Sequence, residues 1–116
     1  MYLPYASWCV THGHDHDQYY IRFNLAAARC FEHMSIVELS KTVDNKYIII
    51  KPIKTTKVEP WMNTIRKTKS GAQIYVSGRV TDGFLKPEWF DKRRCRIKKD
   101  RDGNIYICRE EMVTNE

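Results

Sequence analysis

The sequence predicts an α+β, strand-dominated domain: a small barrel or sandwich built from two pseudo-symmetric strand–helix–hairpin halves. Two observations point there. The order of elements read over residues 20–53 returns, in weaker form, over residues 74–108: an alternating strand, a short helical segment, then a hairpin. Shifting the first hairpin by 58 positions places Val37 on Cys95, Leu39 on Ile97, Asp44 on Asp102 and Ile49 on Ile107. The second observation is size and composition. A chain of 116 residues with 42% hydrophobic side chains, including seven Tyr, four Phe and three Trp, can fill one modest core.

The elements follow in order. Residues 1–18 read as an N-terminal arm whose Tyr2, Leu3, Tyr5 and Trp8 lay a strand or wrap over the core. The first half spans residues 19–53. In its opening strand, Tyr20, Arg22 and Asn24 share one face and Tyr19, Ile21 and Phe23 the other. Asn24 suits the N-cap of a helix over Leu25–His33, with Leu25, Ala28 and Phe31 on one side. Residues 36–43 and 47–50 form a hairpin over the Asp44-Asn45 turn, and Pro52 stops the return strand.

Residues 54–73 read as a linker with a short helix, since Pro60 suits a first helical position and Trp61, Ile65 and Thr68 fall at helical spacing before Gly71. The second half spans residues 74–109. It takes in the end of a strand read over 72–80, a turn at Asp82-Gly83, a helical turn begun by Pro87, and a hairpin of 95–98 with 105–108 over Asp102-Gly103. Residues 110–116 are a frayed tail.

The run YIRFNLAAARCFEHMSIVELSKTVDNKYIIIKPIK resembles the swapped-hairpin domain of the AbrB/SpoVT/MazE family, in which a strand leads to a short helix and a hairpin ending in an isoleucine-rich strand and Lys-Pro. The matching parts here are residues 20–24, 25–33 and 36–53 with Lys51-Pro52, and residues 74–108 match in their hairpin. The resemblance implies an AbrB-like barrel, DNA binding and transcription regulation. It also implies that basic residues near the first strand, the helix and the adjoining loops touch DNA; here those are Arg22, Arg29 and Arg79. Family members complete a barrel with two copies. A true internal repeat would close it within one chain, so monomer and homodimer both stand, with closure within the chain favoured.

Charge is the strongest functional signal. Residues 1–53 carry 5 basic and 5 acidic side chains, and residues 54–116 carry 15 and 9, which supplies the whole net charge of +6. Seven basic residues fall in the ten of KRRCRIKKDR, Lys92–Arg101. If Cys95 and Ile97 point inward, Arg94, Arg96 and Lys98 form an outward row about 6.6 Å apart, suited to phosphates. Lys99 and Arg101 extend it, and Arg93 and Arg79 are second-rank candidates. A solvated edge strand protected by charge is the competing explanation. The partner this row leads us to expect is a nucleic acid. The alternative is an acidic protein surface, as for a phage-type nuclease inhibitor or anti-CRISPR adaptor.

The remaining signals exclude more than they assign. No Gly-rich phosphate loop, Gly-x-Ser-x-Gly or His-Glu-x-x-His occurs, so the chain reads as non-enzymatic and without a cofactor. His12, His14 and His16 sit on a polar loop without the supporting shell that orients metal ligands, so no metal site is assigned. Trp61, Trp89 and Phe90 suit a core better than a base-stacking platform. Cys9, Cys30, Cys95 and Cys108 match no disulfide framework and read as reduced thiols. The start lacks the pattern of a signal peptide, and no apolar run reaches the length of a membrane span, so the expected location is cytoplasmic.

Overall fold

The computed structural model describes residues 3–31, 35–54, 57, 59, 62–76 and 83–112. Eight strands are present among them: β1 (Tyr5–Thr11), β2 (Gln18–Asn24), β3 (Ile36–Lys41), β4 (Tyr47–Pro52), β5 (Met62–Thr68), β6 (Gly71–Tyr75), β7 (Arg94–Lys99) and β8 (Ile105–Met112). They close into an antiparallel barrel in the order β1-β2-β6-β5-β3-β4-β8-β7. One short helix, α1 (Leu25–Ala28), runs into a 3-10 turn over Arg29–Phe31, and a second 3-10 turn covers Pro87–Trp89.

The period-two pattern decides what fills the barrel. Ala6 and Trp8 from β1, Ile21 and Phe23 from β2, Val37 and Leu39 from β3, and Ile48 and Ile50 from β4 point inward and are buried. Ile65, Ile74, Cys95, Ile97, Ile105 and Ile107 do the same from the later strands. Each fully buried Ile, Leu or Phe contributes roughly 1.5–3 kcal/mol. Both helical segments add aromatic rings to this core. Phe31 lies 4.6 Å from Phe23, centroid to centroid, while Trp89 and Phe90 meet Trp8 edge-on at 6.3 and 5.2 Å.

Asn24 fastens β1, β2 and α1 together. Its Oδ1 accepts from the Ala27 amide at 3.0 Å and the Tyr5 amide at 3.1 Å, and its Nδ2 donates to the Leu3 carbonyl at 2.9 Å. Opposite it on β6, Gly71 has φ +151, and a Cβ there would collide with the Phe23 carbonyl oxygen. Only glycine lets β6 approach β2 so closely.

The strand order has a regularity. Exchanging β1–β4 for β5–β8, strand by strand, leaves it unchanged. The registers then match Trp8 with Ile65, Ile21 with Ile74, Val37 with Cys95, Leu39 with Ile97, Ile48 with Ile105 and Ile50 with Ile107. The fixed shift that aligned Ile49 with Ile107 slips by one in the return strand, because Lys41 is in register with Ile48 but its counterpart Lys99 with Ile105.

Several expectations need correction. The helix read before Gly71 is β5: Ile65 alone of Met62–Thr68 is fully inward, and the strand pairs with both β3 and β6. Helical spacing of three residues was outweighed by a hairpin over Lys69-Ser70 and by barrel closure. Of the two forms expected for the N-terminal arm the structure has the strand, β1, hydrogen-bonded to β2 and β7. The helix over residues 25–33 is one turn of α-helix and one of 3-10, and Leu25 is exposed rather than facing the core with Phe31. The strand read over 72–80 is described only as Gly71–Tyr75, and β8 continues past Arg109 to Met112. His33, Trp61, Arg79, Asp82 and the residues after Met112 lie outside the described residues.

Candidate nucleic-acid interface

β7 presents its side chains in the expected alternation. Cys95 and Ile97 are buried in the barrel, and Arg94, Arg96 and Lys98 are exposed on its outer surface. The strand is bonded to β1 over Arg94–Arg96 and to β8 over Cys95–Lys99, which closes the barrel there. For Arg94 and Arg96, closure removes the explanation that these charges guard an unpaired strand, whereas Lys98 lies beyond the β1 ladder and is paired with β8 alone.

The other predicted cations are placed differently. Lys99 falls on the inward side of the alternation, where it is exposed, and Arg101 is exposed in the turn. Arg93 precedes the strand, half-buried, with its Nη2 3.2 Å from Asp91 Oδ2. Arg79 is outside the described residues. The predicted set thus reduces to one outward row of three, with Lys99, Arg101 and Arg93 around it.

The barrel adds cations that sequence reasoning did not join to this row. Arg94 is in register with Ser7 on β1, Ser7 with Arg22 on β2, Arg22 with Gln73 on β6, and Gln73 with Arg66 on β5. An arginine therefore recurs on every second strand, roughly 10 Å apart at ordinary strand spacing. A parallel row runs Cys9, Tyr20, Tyr75. Arg22 lies over the Tyr20 ring at 5.3 Å, and Arg94 over the Tyr5 ring at 4.9 Å. Tyr75 is 48% exposed. Two shallow concavities meet at Tyr20 and Arg22; Arg66 lines one, Lys92 and Arg94 the other, and no acidic residue lines either among the described residues. Arg66 was missed because its segment read as a helix. The shared face of Tyr20 and Arg22 was legible; their neighbours across the barrel were not.

A second cationic cluster sits inside the barrel wall. Arg109 lies 5.0 Å from the Trp8 ring and 4.4 Å from the Trp89 ring, and Lys41 Nζ lies 5.8 Å from Trp89. Burial lowers the Arg109 pKa, and its Nη1 has no hydrogen-bond partner. Burial pushes the Cys95 thiol up, partly offset by the Trp8 indole and by Arg109. A thiol is a weak acceptor, so the buried Trp8 Nε1 is left without a full hydrogen bond. Trp89 and Phe90 belong to this packing and are not a stacking platform.

The histidine loop shows one ordered contact, His12 Nδ1 to Asp17 Oδ1 at 3.0 Å. Among the described residues, no group of three His, Cys, Asp or Glu side chains is placed to hold a metal ion. All four cysteines are free thiols; Cys95 is in the core, and Cys108 is buried on the opposite side of its strand from Ile107. No helix among the described residues is long and apolar enough to cross a membrane. Comparison with protein-family models, with curated proteins and with solved structures found no match.

Proposed function

We propose that this chain is a non-enzymatic nucleic-acid-binding protein that uses the outer surface of β7. The observation that carries the reading is the row of Arg94, Arg96 and Lys98, exposed on a strand paired with β1 over Arg94–Arg96 and with β8 over Cys95–Lys99. Guanidinium and ammonium groups held at a fixed repeat neutralise phosphates, and release of counterions supplies the affinity. We also read the barrel as two AbrB-like halves fused in one chain, acting in transcription regulation. The exchange symmetry of the strand order supports the fusion.

The test is a salt-titrated binding assay with duplex DNA, single-stranded DNA and RNA, on the native chain and on Arg94→Glu/Arg96→Glu/Lys98→Glu. Binding by the native chain should weaken steeply with salt and be lost in the variant. Unchanged binding by a folded variant counts against the reading.

A second reading is a protein inhibitor or adaptor. It is favoured by the mixture of Tyr5, Tyr20 and Tyr75 with arginines on one face, since Tyr and Arg are the residue types that dominate protein-interface energetics. A chain with no affinity for any nucleic acid at low salt, and with one stoichiometric acidic protein partner, would establish it instead.

A further inference from the structure

Resting on the nucleic-acid reading, we propose that the ligand is a single strand that wraps the barrel transversely, from β7 over β1, β2 and β6 to β5. Three observations converge. The arginines of the transverse row, Arg94, Arg22 and Arg66, span five of the eight consecutive barrel strands. That arc takes four of the eight inter-strand steps, half the circumference of the barrel. Duplex DNA is stiff on this scale, with a persistence length of about 150 base pairs, and meets a convex surface along a narrow strip. A flexible single strand can follow the curve and reach all three cations.

The second observation is the tyrosine row beside the arginines. Tyr20 and Tyr75 are directly opposite on β2 and β6, and Tyr75 is half exposed. Aromatic faces next to a phosphate track are what single-strand binding requires, because unpaired bases offer their π-faces whatever their sequence. A duplex keeps those faces stacked inside. The third observation is electrostatic: among the described residues, the two concavities that meet at Tyr20 and Arg22 are lined by four basic residues and no carboxylate, which fits a polyanion. Between the arginines stand Ser7 and Gln73, neutral groups able to donate hydrogen bonds to phosphate or base.

The experiment is fluorescence anisotropy of the full chain with a labelled oligothymidylate and a labelled mixed-sequence duplex of equal length, in one buffer at low salt. Three variants are compared: Arg22→Gln/Arg66→Gln, Tyr75→Ala and the conservative Tyr75→Phe, each checked for native circular dichroism. The single strand should bind at least about tenfold more tightly than the duplex. Tyr75→Ala should weaken single-strand binding about five- to a hundredfold, the range expected for one lost stacking contact. Tyr75→Phe should retain it. Arg22→Gln/Arg66→Gln should weaken the single strand more than the duplex.

Duplex binding equal to or tighter than single-strand binding overturns the inference and leaves the basic-strand reading standing. So does single-strand binding that Arg94, Arg96 and Lys98 control but Arg22, Arg66 and Tyr75 do not. No binding of either oligonucleotide overturns the nucleic-acid reading itself.

Discussion

The hairpins β3–β4 and β7–β8 share an interior and differ outside. Inward, Val37, Leu39, Ile48 and Ile50 of the first occupy the places of Cys95, Ile97, Ile105 and Ile107 in the second, and all eight are buried. Outward, the strand that carries Ile36, Glu38 and Ser40 in the first hairpin carries Arg94, Arg96 and Lys98 in the second. A barrel wall needs apolar residues on alternate positions and asks little of the rest. The first hairpin is therefore a control built into the same molecule. What the two share is the requirement of the fold, and what separates them is the charge on which the proposed nucleic-acid binding rests.

The largest effects should come from the shared part. Leu39→Ala and Ile97→Ala each remove a buried side chain with no room for the wall to collapse, and each should cost about 2–5 kcal/mol of unfolding free energy in urea or guanidinium titrations. The two losses should be similar. A large disparity would break the equivalence of the hairpins. Trp8→Ala should match or exceed them, at about 3–5 kcal/mol, because it also leaves Arg109 without one of its two ring partners.

The outer surfaces should separate in a binding assay. Neutralising Arg94, Arg96 and Lys98 to Gln should reduce the slope of log affinity against log salt by about 2 to 3. Changing Ile36 and Ser40 to Gln should leave that slope where it was. If both changes act equally, charge on β7 is not what distinguishes the hairpins.

Much of this comparison was legible in the sequence. Strands β2, β3, β4, β7 and β8 announce themselves by alternation and turn residues, and the outward row of β7 follows from placing Cys95 and Ile97 inward. β1 was legible only as one of two forms for the arm, and the β5 segment reads as a helix. One partner of each, β7 for β1 and β3 for β5, lies far along the chain, and the spacing of Trp61, Ile65 and Thr68 mimics a helix. The candidate face suffered for the same reason. Arg22 and Arg66 join Arg94 only through registers across four strand pairs, which no local pattern encodes. The turn chemistry misled too. Asp44 aligns with Asp102, but the carboxylate that closes the second turn belongs to Asp100, whose counterpart is Thr42.

That turn gives a smaller prediction. Desolvation pushes the Asp100 carboxyl up, but it is outweighed. Oδ1 accepts from the amides of Asn104 and Asp102, both at 2.9 Å, and Oδ2 accepts from Asn104 Nδ2 at 3.1 Å and the Tyr106 hydroxyl at 3.2 Å. The net pKa lies below the ordinary aspartate value. A folded-state pKa that is depressed stabilises above the unfolded value, near 3.9, and the contribution is lost as pH falls through the folded value. Thermal midpoints measured from neutral to acid pH should show Asp100→Asn less stable than the native chain at neutral pH, with the difference narrowing in acid. Asp44, held low first by the Thr42 hydroxyl and then by the Lys46 amide, should show the same sign with a smaller change, because fewer donors hold it.

The smallest effect is expected at a matched interior position of the two hairpins where the chemistry differs, Val37 against Cys95. Burial raises the Cys95 thiol, so at neutral pH it is protonated and unreactive and packs as a small apolar group. Cys95→Val puts the first hairpin's residue into the second and should change stability by less than about 1.5 kcal/mol. Nucleic-acid binding should not change. In the native chain, alkylation of Cys95 by iodoacetamide, followed by peptide mass spectrometry, should proceed far more slowly than in the unfolded chain. A costly Cys95→Val, or an alkylation rate equal to that of the unfolded chain, would mean that the sulfur does something at this position that a hydrocarbon cannot. The Trp8 indole and the Arg109 guanidinium beside it would be the first groups to examine, since both already lack full hydrogen-bond partners and a polar sulfur is the nearest compensation.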